Sequence, residues 1–412
     1  MRIFISAGEP SGDLHAANLA RAILARRPDT EIVGFGGEHL KATGATLLYP
    51  LTELAVMWFG RVLLNLRKFF KLADQADAYF RDEKPDAVVL IDYPGFHWAL
   101  AKRAKARGIP VIYYVPPQLW AWAGWRVKKV QKWVDHVLCS LPFEPQWYHE
   151  RGVPGATFVG HPYFDELADR PLDHEFLGEQ SMREAPVVVL LPGSRTQELE
   201  RNFPAMLRAA SKVLARRKNV RFVVACLHEK HRSLAREMLR QSGLLIPSLE
   251  IHCGRTAELI RMADLAWAVS GSVGLELMNE ALPTVVVYTI KPFDLMVARR
   301  FMTTKFISLV NLLADAEVMP EYLTDRDVSS EMAEHALLWL NDPAERAKAS
   351  QCLASLRNRV AVPGASERAA DRVIGVIEGR SATLRGPHRP PESRPARRDE
   401  DGSAPGMSLT SS

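Results

Sequence analysis

The amino-acid sequence predicts an α/β fold made of two Rossmann-like lobes that face each other across a cleft. Short apolar runs alternate with amphipathic stretches from the first residues onward, which is the pattern of βαβ units in a parallel sheet. The alternation breaks in a polar, charged stretch at residues 165–184 and then starts again. The length of 412 residues also suits two domains of about 100–200 residues each.

The first lobe is predicted at residues 1–165. Its strands are expected at residues 2–7, 31–35, 87–91, 111–115, 136–139 and 157–159. Amphipathic stretches such as residues 14–25 and 98–107 lie between these runs and predict helices on both faces of the sheet.

The second lobe is predicted at residues 186–345, after a linker at residues 166–185. Its strands are expected at residues 187–191, 220–225, 249–252, 265–269 and 284–287. Helical segments follow, with C-terminal helices at residues 346–378. The tail at residues 379–412 is rich in proline, glycine and serine, so we predict that it is disordered. A cleft between two such lobes is a favoured place for a ligand.

Composition places the chain among ordinary globular proteins, with 47% hydrophobic and 25% charged residues. The formal net charge of +5 suits anionic substrates or an anionic membrane surface. The sequence has no clustered basic patch or reader motif, so we expect no nucleic-acid partner. The four cysteines lack the spacing typical of a zinc site, which favours reduced thiols in a cytoplasmic protein.

Any membrane contact is expected to be peripheral, because no run of about 18 apolar residues occurs and the N-terminus leaves no room for a signal peptide. Residues 56–71 mix bulky apolar groups with basic ones, as in helices that lie in the membrane interface. The alternative is a helix packed into the core on two sides. The candidates for membrane contact are Met57, Trp58, Phe59, Arg61, Arg67, Lys68, Phe69 and Phe70.

One carboxylate is predicted at the carboxyl edge of the first sheet. Asp92 follows the apolar strand at residues 87–91 and precedes a turn with Pro94 and Gly95. Ligands of open parallel sheets bind at this edge, where a carboxylate can accept a proton from a substrate hydroxyl. The alternative is that Asp92 caps the helix that follows, because aspartate is a preferred N-cap residue.

A polar loop with two glycines follows the first strand. It lacks the Gly-Lys-Ser/Thr ending of a nucleotide P-loop, but its short side chains and free N–H groups favour phosphate or sugar hydroxyls. Simple turn chemistry is the alternative. The candidate substrate-binding residues here are Glu9, Ser11, Gly12 and Asp13.

Two loops of the second lobe predict a nucleotide-diphosphate site. Ser194 and Arg195 follow its first strand, and the forked donors of arginine suit a diphosphate, although a surface ion pair is the alternative. Gly271 and Ser272 follow a later strand, where a phosphate can approach the next helix. Glu276 lies about one helical turn further on, where its carboxylate can accept both ribose hydroxyls. A structural glycine turn is the alternative for the second loop.

With these residues in hand, the chain resembles the lipid-A-disaccharide synthase family over roughly residues 1–378. The resemblance rests on ordered blocks at residues 6–13, 91–96, 120–122, 141–144, 159–162, 191–195 and 270–276, and on Asn311. The sequence departs from the family pattern at Pro10, Ser272 and Thr324, and the tail has no counterpart in the family.

The resemblance implies a glycosyltransferase B fold, with an acceptor- and lipid-binding N-terminal domain and a UDP-sugar-binding C-terminal domain. It implies an inverting hexosyltransferase that joins UDP-2,3-diacylglucosamine to 2,3-diacylglucosamine 1-phosphate and releases UDP. Asp92 would be the general base, Arg195, Ser272 and Glu276 would lie at the UDP site, and Asn311 matches a family site position.

No cofactor or metal is implied by the resemblance. It also implies a Gram-negative bacterium, a location on the cytoplasmic face of the inner membrane, and a possible homodimer. Two alternatives remain open from the residues: another UDP-sugar glycosyltransferase or epimerase of this fold, and a catalytically silent lipid-binding protein at the membrane surface.

Overall fold

Two parallel β-sheets organise the protein in a computed structural model that describes residues 1–56, 62–302 and 304–379. Within these residues, seven strands form the first sheet and six form the second, and every strand pair is parallel. The prediction of two Rossmann-like lobes with a helical C-terminal segment is confirmed.

The first lobe alternates strands and helices from its N-terminus. Its strands are β1 (Arg2–Ala7), β2 (Glu31–Gly36), β3 (Thr46–Pro50), β4 (Ala87–Ile91), β5 (Val111–Tyr114), β6 (His136–Cys139) and β7 (Ala156–Phe158). Its helices are α1 (Pro10–Arg26), α2 (Glu38–Lys41), α3 (Leu51–Val56), α4 (Val62–Asp82), α5 (Pro94–Ala106), α6 (Leu119–Trp122), α7 (Val127–Trp133) and α8 (Glu144–His149). The order of strands across the sheet is β3-β2-β1-β4-β5-β6-β7.

The connection between the lobes contains α9 (Tyr163–Asp169) and α10 (His174–Ser181). The second sheet contains β8 (Val187–Leu191), β9 (Arg221–Cys226), β10 (Leu249–Cys253), β11 (Leu265–Ala268), β12 (Thr284–Thr289) and β13 (Glu321–Thr324), in the order β10-β9-β8-β11-β12-β13. The helices of this half are α11 (Thr196–Arg216), α12 (Glu229–Ser242), α13 (Thr256–Arg261), α14 (Val273–Asn279), α15 (Pro292–Phe301), α16 (Leu309–Ala314), α17 (Ser329–Asn341), α18 (Pro343–Val360) and α19 (Ala365–Ile377).

The central strands are continuous apolar runs because both faces of each sheet are covered by helices. In β4, alternate residues enter two different cores: Val88 and Leu90 pack on one face of the sheet, and Val89 and Ile91 pack on the other. A strand buried on both faces shows no polar alternation, which is typical of parallel sheets in α/β proteins. This burial explains why the sequence reveals these strands.

Two strands, β3 and β13, lie outside the predicted set. Each is an outermost strand of its sheet, and most of its residues are only partly buried. A partly buried strand has a weaker apolar signal than a central one, although the other two edge strands, β7 and β10, were predicted.

The C-terminal helix returns to the first lobe. Leu353 and Leu356 of α18 pack into the core of the second lobe. Ala369 and Val373 of α19 pack into the core that covers one face of the first sheet, beside α1. The chain therefore crosses between the lobes twice, once through α9 and once between α18 and α19.

Part of the predicted membrane contact lies outside the described residues, namely Met57, Trp58, Phe59 and Arg61. Residues 380–412 of the predicted tail also lie outside them. Among the helices of the described part of the chain, none has the length and hydropathy needed to cross a bilayer.

Candidate active site in the cleft between the lobes

The loops after β1 and β4 meet at the carboxyl edge of the first sheet. The two strands are neighbours in the sheet, so their ends lie side by side. A Cβ atom at Gly8 would lie 2.3 Å from the ring of Tyr93, a distance that no side chain tolerates. Glycine at this position therefore allows the predicted ligand loop to pack directly against the turn that carries Asp92.

The backbone at Asp92 and Tyr93 adopts the left-handed conformation, with φ angles of 50° and 48°. Non-glycine residues rarely adopt this conformation, and it persists where the surroundings hold it in place. The main-chain carbonyl of Asp92 accepts two hydrogen bonds, each 2.7 Å long, from His97 Nδ1 and from the Tyr113 hydroxyl. These bonds fix the turn at the end of β4.

His97 is a neutral support for this turn. It is fully buried, and burial lowers the pKa of its imidazole to about 3. Because the carbonyl of Asp92 can only accept, Nδ1 carries the proton of the neutral ring, and Nε2 accepts from the Ser6 hydroxyl at 2.8 Å. Sequence reasoning missed His97, whose helical position gave no sign of its partners.

The carboxyl group of Asp92 has a raised pKa. Burial is the main cause, while the backbone N–H of Tyr93 and the nearby His15 oppose the rise. The N-cap position of α5 belongs to Tyr93, so the alternative of Asp92 as the N-cap residue is wrong. A carboxylate with a raised pKa is a stronger base than an ordinary aspartate once it is ionised.

Glu9 connects the two walls of the cleft electrostatically. Its pKa is raised by burial and by the charge of Asp92, and lowered by the charge of Arg195. Asp92 belongs to the first lobe and Arg195 to the second. Both charges act on the Glu9 side chain. Asp92, the predicted base, and Arg195, the residue predicted to bind the diphosphate, therefore lie in the same region of the protein.

A cavity of about 570 Å³ lies between the lobes. Its lining includes Glu9, Pro10, Ser194, Arg195, Tyr288 and Thr289. A second cavity of about 300 Å³ adjoins it and shares Ser194 and Arg195 with it; its lining also includes Ser270, Gly271 and Ser272. The first volume lies in the range typical of small-molecule sites, which is about 300–1,000 Å³. Ser194, Arg195, Gly271 and Ser272 thus line these two adjoining cavities, whereas the lining of neither cavity includes Glu276 or Asn311.

The loop that carries Arg195 is tied to the start of α11. Glu198 accepts the backbone N–H groups of Ser194 at 3.0 Å and Arg195 at 3.2 Å. Its other oxygen pairs with the Arg195 guanidinium at 3.0 Å. Gly193 has a φ angle of +121°, and a Cβ atom there would lie 2.4 Å from that of Glu198. The ion-pair alternative for Arg195 is therefore observed, on a side chain that also lines both cavities.

Glu276 lies at the start of α14 with only 5% of its surface exposed. Its two carboxylate oxygens accept from Arg170 Nη1 at 2.6 Å and from the Tyr163 hydroxyl at 2.9 Å. Burial raises the pKa of Glu276, and the charge of Arg170 and the bond from Tyr163 oppose the rise. Sequence reasoning missed both partners, because they lie 106 and 113 residues away from Glu276 in the chain.

Two predicted substrate-binding residues have structural roles. The buried carboxylate of Asp13 accepts the backbone N–H groups of Gly37, His39 and Leu40. All four hydrogen-bonding positions of the Asn311 amide are used inside the protein: its nitrogen donates to Met319 and Glu321, and its oxygen accepts from residues 318 and 319. Direct contact with substrate has no support at these two positions. The other two predicted residues of this segment, Ser11 and Gly12, lie with Asp13 in the first turns of α1 and not in a loop; Ser11 is exposed and Gly12 is buried.

Of the predicted membrane-contact residues that the structure describes, some are exposed and others pack against the first lobe. Phe70 is 62% exposed, and Arg67 is exposed beside it. Phe69 instead packs inward, with its ring 5.3 Å from the ring of Phe96. Lys68 is half-buried, with its ammonium 5.0 Å from the centre of the Tyr49 ring. Successive helix residues point about 100° apart, so Phe69 belongs to the core-facing side of α4. The prediction of membrane contact is not supported for Phe69.

The chain is similar to known proteins over most of its length. A model of the family described as lipid-A-disaccharide synthetase matches residues 3–371. The lipid-A-disaccharide synthase of Myxococcus xanthus is 36% identical over 378 residues, which cover 91% of this chain and 97% of that protein.

Two solved structures share the fold at low sequence identity. A putative UDP-N-acetylglucosamine 2-epimerase from Listeria monocytogenes is 13% identical with a TM-score of 0.62, over 92% of this chain and 95% of its own. The calicheamicin glycosyltransferase CalG4 is 18% identical with a TM-score of 0.59, over 92% of this chain and 99% of its own. These two likenesses confirm the predicted glycosyltransferase B fold. The match to the family model along most of its length shows that the chain belongs to the lipid-A-disaccharide synthetase family.

Proposed function

We propose that this protein is an inverting glycosyltransferase of lipid A biosynthesis that uses Asp92 as its general base. Its substrates would be UDP-2,3-diacylglucosamine and 2,3-diacylglucosamine 1-phosphate, and its products a lipid A disaccharide 1-phosphate and UDP. Family membership supports the reaction class. The observation that carries the assignment of the site is the cavity between the lobes, which is lined by Glu9 of the first lobe and Arg195 of the second, with Asp92 near enough to raise the pKa of Glu9.

The proposed reaction is a single displacement. The Asp92 carboxylate takes the proton of the acceptor hydroxyl while the hydroxyl oxygen forms a bond to the anomeric carbon of the donor. The bond between that carbon and the diphosphate oxygen breaks, and UDP leaves with the electron pair. Attack opposite the leaving group inverts the anomeric centre. The strained turn at Asp92 supports this role, because it fixes the carboxylate at the carboxyl edge of the sheet.

UDP would bind on the second lobe. Arg195 lines both cavities and can exchange part of its ion pair with Glu198 for the donor diphosphate. The loop with Gly271 and Ser272 is exposed to the second cavity, where its polar groups can bind the same diphosphate. Glu276 would accept the ribose hydroxyls. We propose that Asn311 and Asp13 support their loops and do not bind substrate directly.

The acyl chains of both substrates would bring the protein to the cytoplasmic face of the inner membrane. We propose the exposed side of α4, with Phe70 and Arg67, as the surface that contacts lipid. The other predicted contacts, Met57, Trp58, Phe59 and Arg61, lie outside the described residues. An apolar ring next to basic groups suits an interface that carries anionic headgroups. A homodimer remains part of the proposal and is tested by the mass of the protein in solution.

The experiment that tests this function is an assay of UDP release with both lipid substrates present and with each one omitted. A synthase releases UDP only when donor and acceptor are both present, and it forms a disaccharide in equal amount. An epimerase of this fold would alter the donor without any acceptor, and a silent lipid-binding protein would release no UDP. Either of those two results would contradict the proposed function.

A further inference from the structure

We propose that Arg170 and Tyr163 are positioning residues of the donor site, which hold the carboxylate of Glu276 in place for the nucleotide ribose by an ion pair and a hydrogen bond. This inference rests on the proposed function, in which Glu276 accepts the ribose hydroxyls. Tyr163 begins the connecting helix α9 and Arg170 follows its last residue, so both partners come from the crossing between the lobes.

The geometry leaves the carboxylate with spare acceptor capacity. Arg170 Nη1 lies 2.6 Å from Oε1 of Glu276, and the Tyr163 hydroxyl lies 2.9 Å from Oε2. An ionised carboxylate has about four lone-pair positions, so one further hydrogen bond to each oxygen is available. Two ribose hydroxyls need two such positions.

Arg170 and Tyr163 also favour the ionised form of the Glu276 carboxyl group. Burial alone raises the pKa of this carboxyl group, and the charge of Glu280, which follows the last residue of α14, raises it further. Arg170 and Tyr163 counteract that rise from the connecting segment, where Glu166 lies near Arg170. On the other side of α14, the guanidinium of Arg357 donates to the carbonyl of Asn279 at 2.9 Å. Removal of Arg170 would therefore leave a buried carboxyl group that protonates more readily.

A protonated Glu276 would bind the ribose less well. Protonation turns one oxygen from an acceptor into a donor and removes the negative charge that strengthens hydrogen bonds from the hydroxyls. The loss should depend on pH, because a higher pH ionises the carboxyl group again. A purely structural role for Arg170 predicts a different result, in which UDP binding weakens by the same factor at every pH and regardless of the ribose hydroxyls.

The test is equilibrium binding of UDP and of 2′,3′-dideoxy-UDP to the full chain, measured between about pH 6 and about pH 9. Wild type should prefer UDP by about 10-fold to 100-fold, the size expected for hydrogen bonds to a charged group. Arg170→Ala should lose most of this preference at the low end of the range and recover part of it at the high end. Arg170→Lys, which keeps the charge, should retain more of it, and Tyr163→Phe should lie between wild type and Arg170→Ala.

Matched variants separate the possible failures. Arg183→Ala removes another arginine of the connection between the lobes, one that pairs with Glu250 at 2.7 Å, and it should bind both ligands as wild type does. Glu276→Gln should lose the preference for UDP at every pH, and a preserved preference there would overturn the proposed role of Glu276 itself. If Glu276→Gln loses the preference while Arg170→Ala keeps it at every pH, the inference about Arg170 and Tyr163 is overturned alone. Arg170→Gln carries the same test if the alanine variant folds poorly.

Discussion

The turn at Asp92 and the start of α14 at Glu276 each carry a carboxylate beyond the carboxyl end of a parallel strand, yet they are built differently. Burial raises the pKa of both carboxyl groups. Around Asp92, the hydrogen bonds from His97 and Tyr113 end on the main-chain carbonyl. Around Glu276, the bonds from Arg170 and Tyr163 end on the carboxylate itself.

This difference in hydrogen bonding distinguishes the proposed general base, Asp92, from the proposed substrate-binding carboxylate, Glu276. A general base needs an oxygen that is free to take a proton and a pKa close to the working pH, so its supports must act on the backbone. A carboxylate that binds hydroxyls must stay ionised and keep its orientation, so a cation and a phenol can bond to it directly. Burial raises the pKa of both carboxyl groups, but its chemical result differs, depending on where the neighbouring hydrogen bonds end.

The largest expected effect comes from Asp92→Asn. The amide keeps the shape of the side chain but cannot take the proton, so kcat should fall by about 10²–10⁴-fold while the affinity for UDP stays as in wild type. The rate of disaccharide formation reports on Asp92, and the affinity for UDP reports on the donor site proposed to contain Glu276. Asp74→Asn is the matched control, since Asp74 is an exposed residue of α4 that pairs with Arg103. Near-normal turnover by Asp92→Asn would remove Asp92 from the mechanism.

The pH dependence of wild type should differ between the two carboxylates. Turnover needs ionised Asp92, whose pKa is raised, so kcat should fall about tenfold for each pH unit below that pKa. The fall should begin above the pH at which an ordinary aspartate titrates, about 3.9. UDP binding should change less over the same range, because Arg170 opposes protonation of Glu276. Parallel pH profiles for kcat and for UDP binding would contradict the comparison.

A smaller effect is expected for His97, which acts on Asp92 only through the backbone. His97→Ala removes one of the two hydrogen bonds that hold the left-handed turn and should lower kcat by about 10-fold. UDP binding on the opposite lobe should not change. His97→Asn offers an amide N–H toward the same carbonyl and should recover part of the loss. An equal fall in kcat and in UDP affinity would indicate general destabilisation instead of positioning.

The smallest expected effect concerns the lipid surface next to the Asp92 wall. Phe70→Ser removes an exposed ring and should weaken binding to anionic liposomes by up to about 10-fold, since full burial of one phenylalanine is worth about 1.5–3 kcal/mol and a ring in the membrane interface is buried only in part. Leu245→Ser is the control, because Leu245 is a still more exposed residue of the second lobe. Flotation with liposomes measures both variants. Equal flotation of Phe70→Ser and wild type would remove α4 from the proposed contact.

Sequence patterns located most of the fold and the regions of the site. The central strands were predictable because burial on both faces leaves a continuous apolar run. The edge strands β3 and β13, most of whose residues are only partly buried, were missed, although the other two edge strands, β7 and β10, were predicted. Asp92 and Arg195 could be selected because each directly follows a strand of this kind, at the edge where parallel sheets bind ligands.

The predictions that the structure does not support concern the contacts of single side chains. Asp13 and Asn311 lie in helices, where Asp13 accepts three backbone N–H groups and Asn311 bonds to backbone groups and to the Glu321 carboxylate. Phe69 and Phe70 are adjacent and identical, and only the packing of α4 on the first sheet separates them into a core residue and an exposed one.

The sequence by itself determined the parallel sheets, the loops at their carboxyl ends and the residue types in those loops. Buried strands appear in the sequence as local apolar runs, and the loops are the segments that follow them. The tertiary structure decided which of these residues are free to act. The hydrogen bonds that hold Asp92 from the backbone and Glu276 from the side chain involve partners as close as five residues and as far as 113 residues along the chain. No local pattern encodes such pairings, since they form only when the strands and the connecting helix pack together.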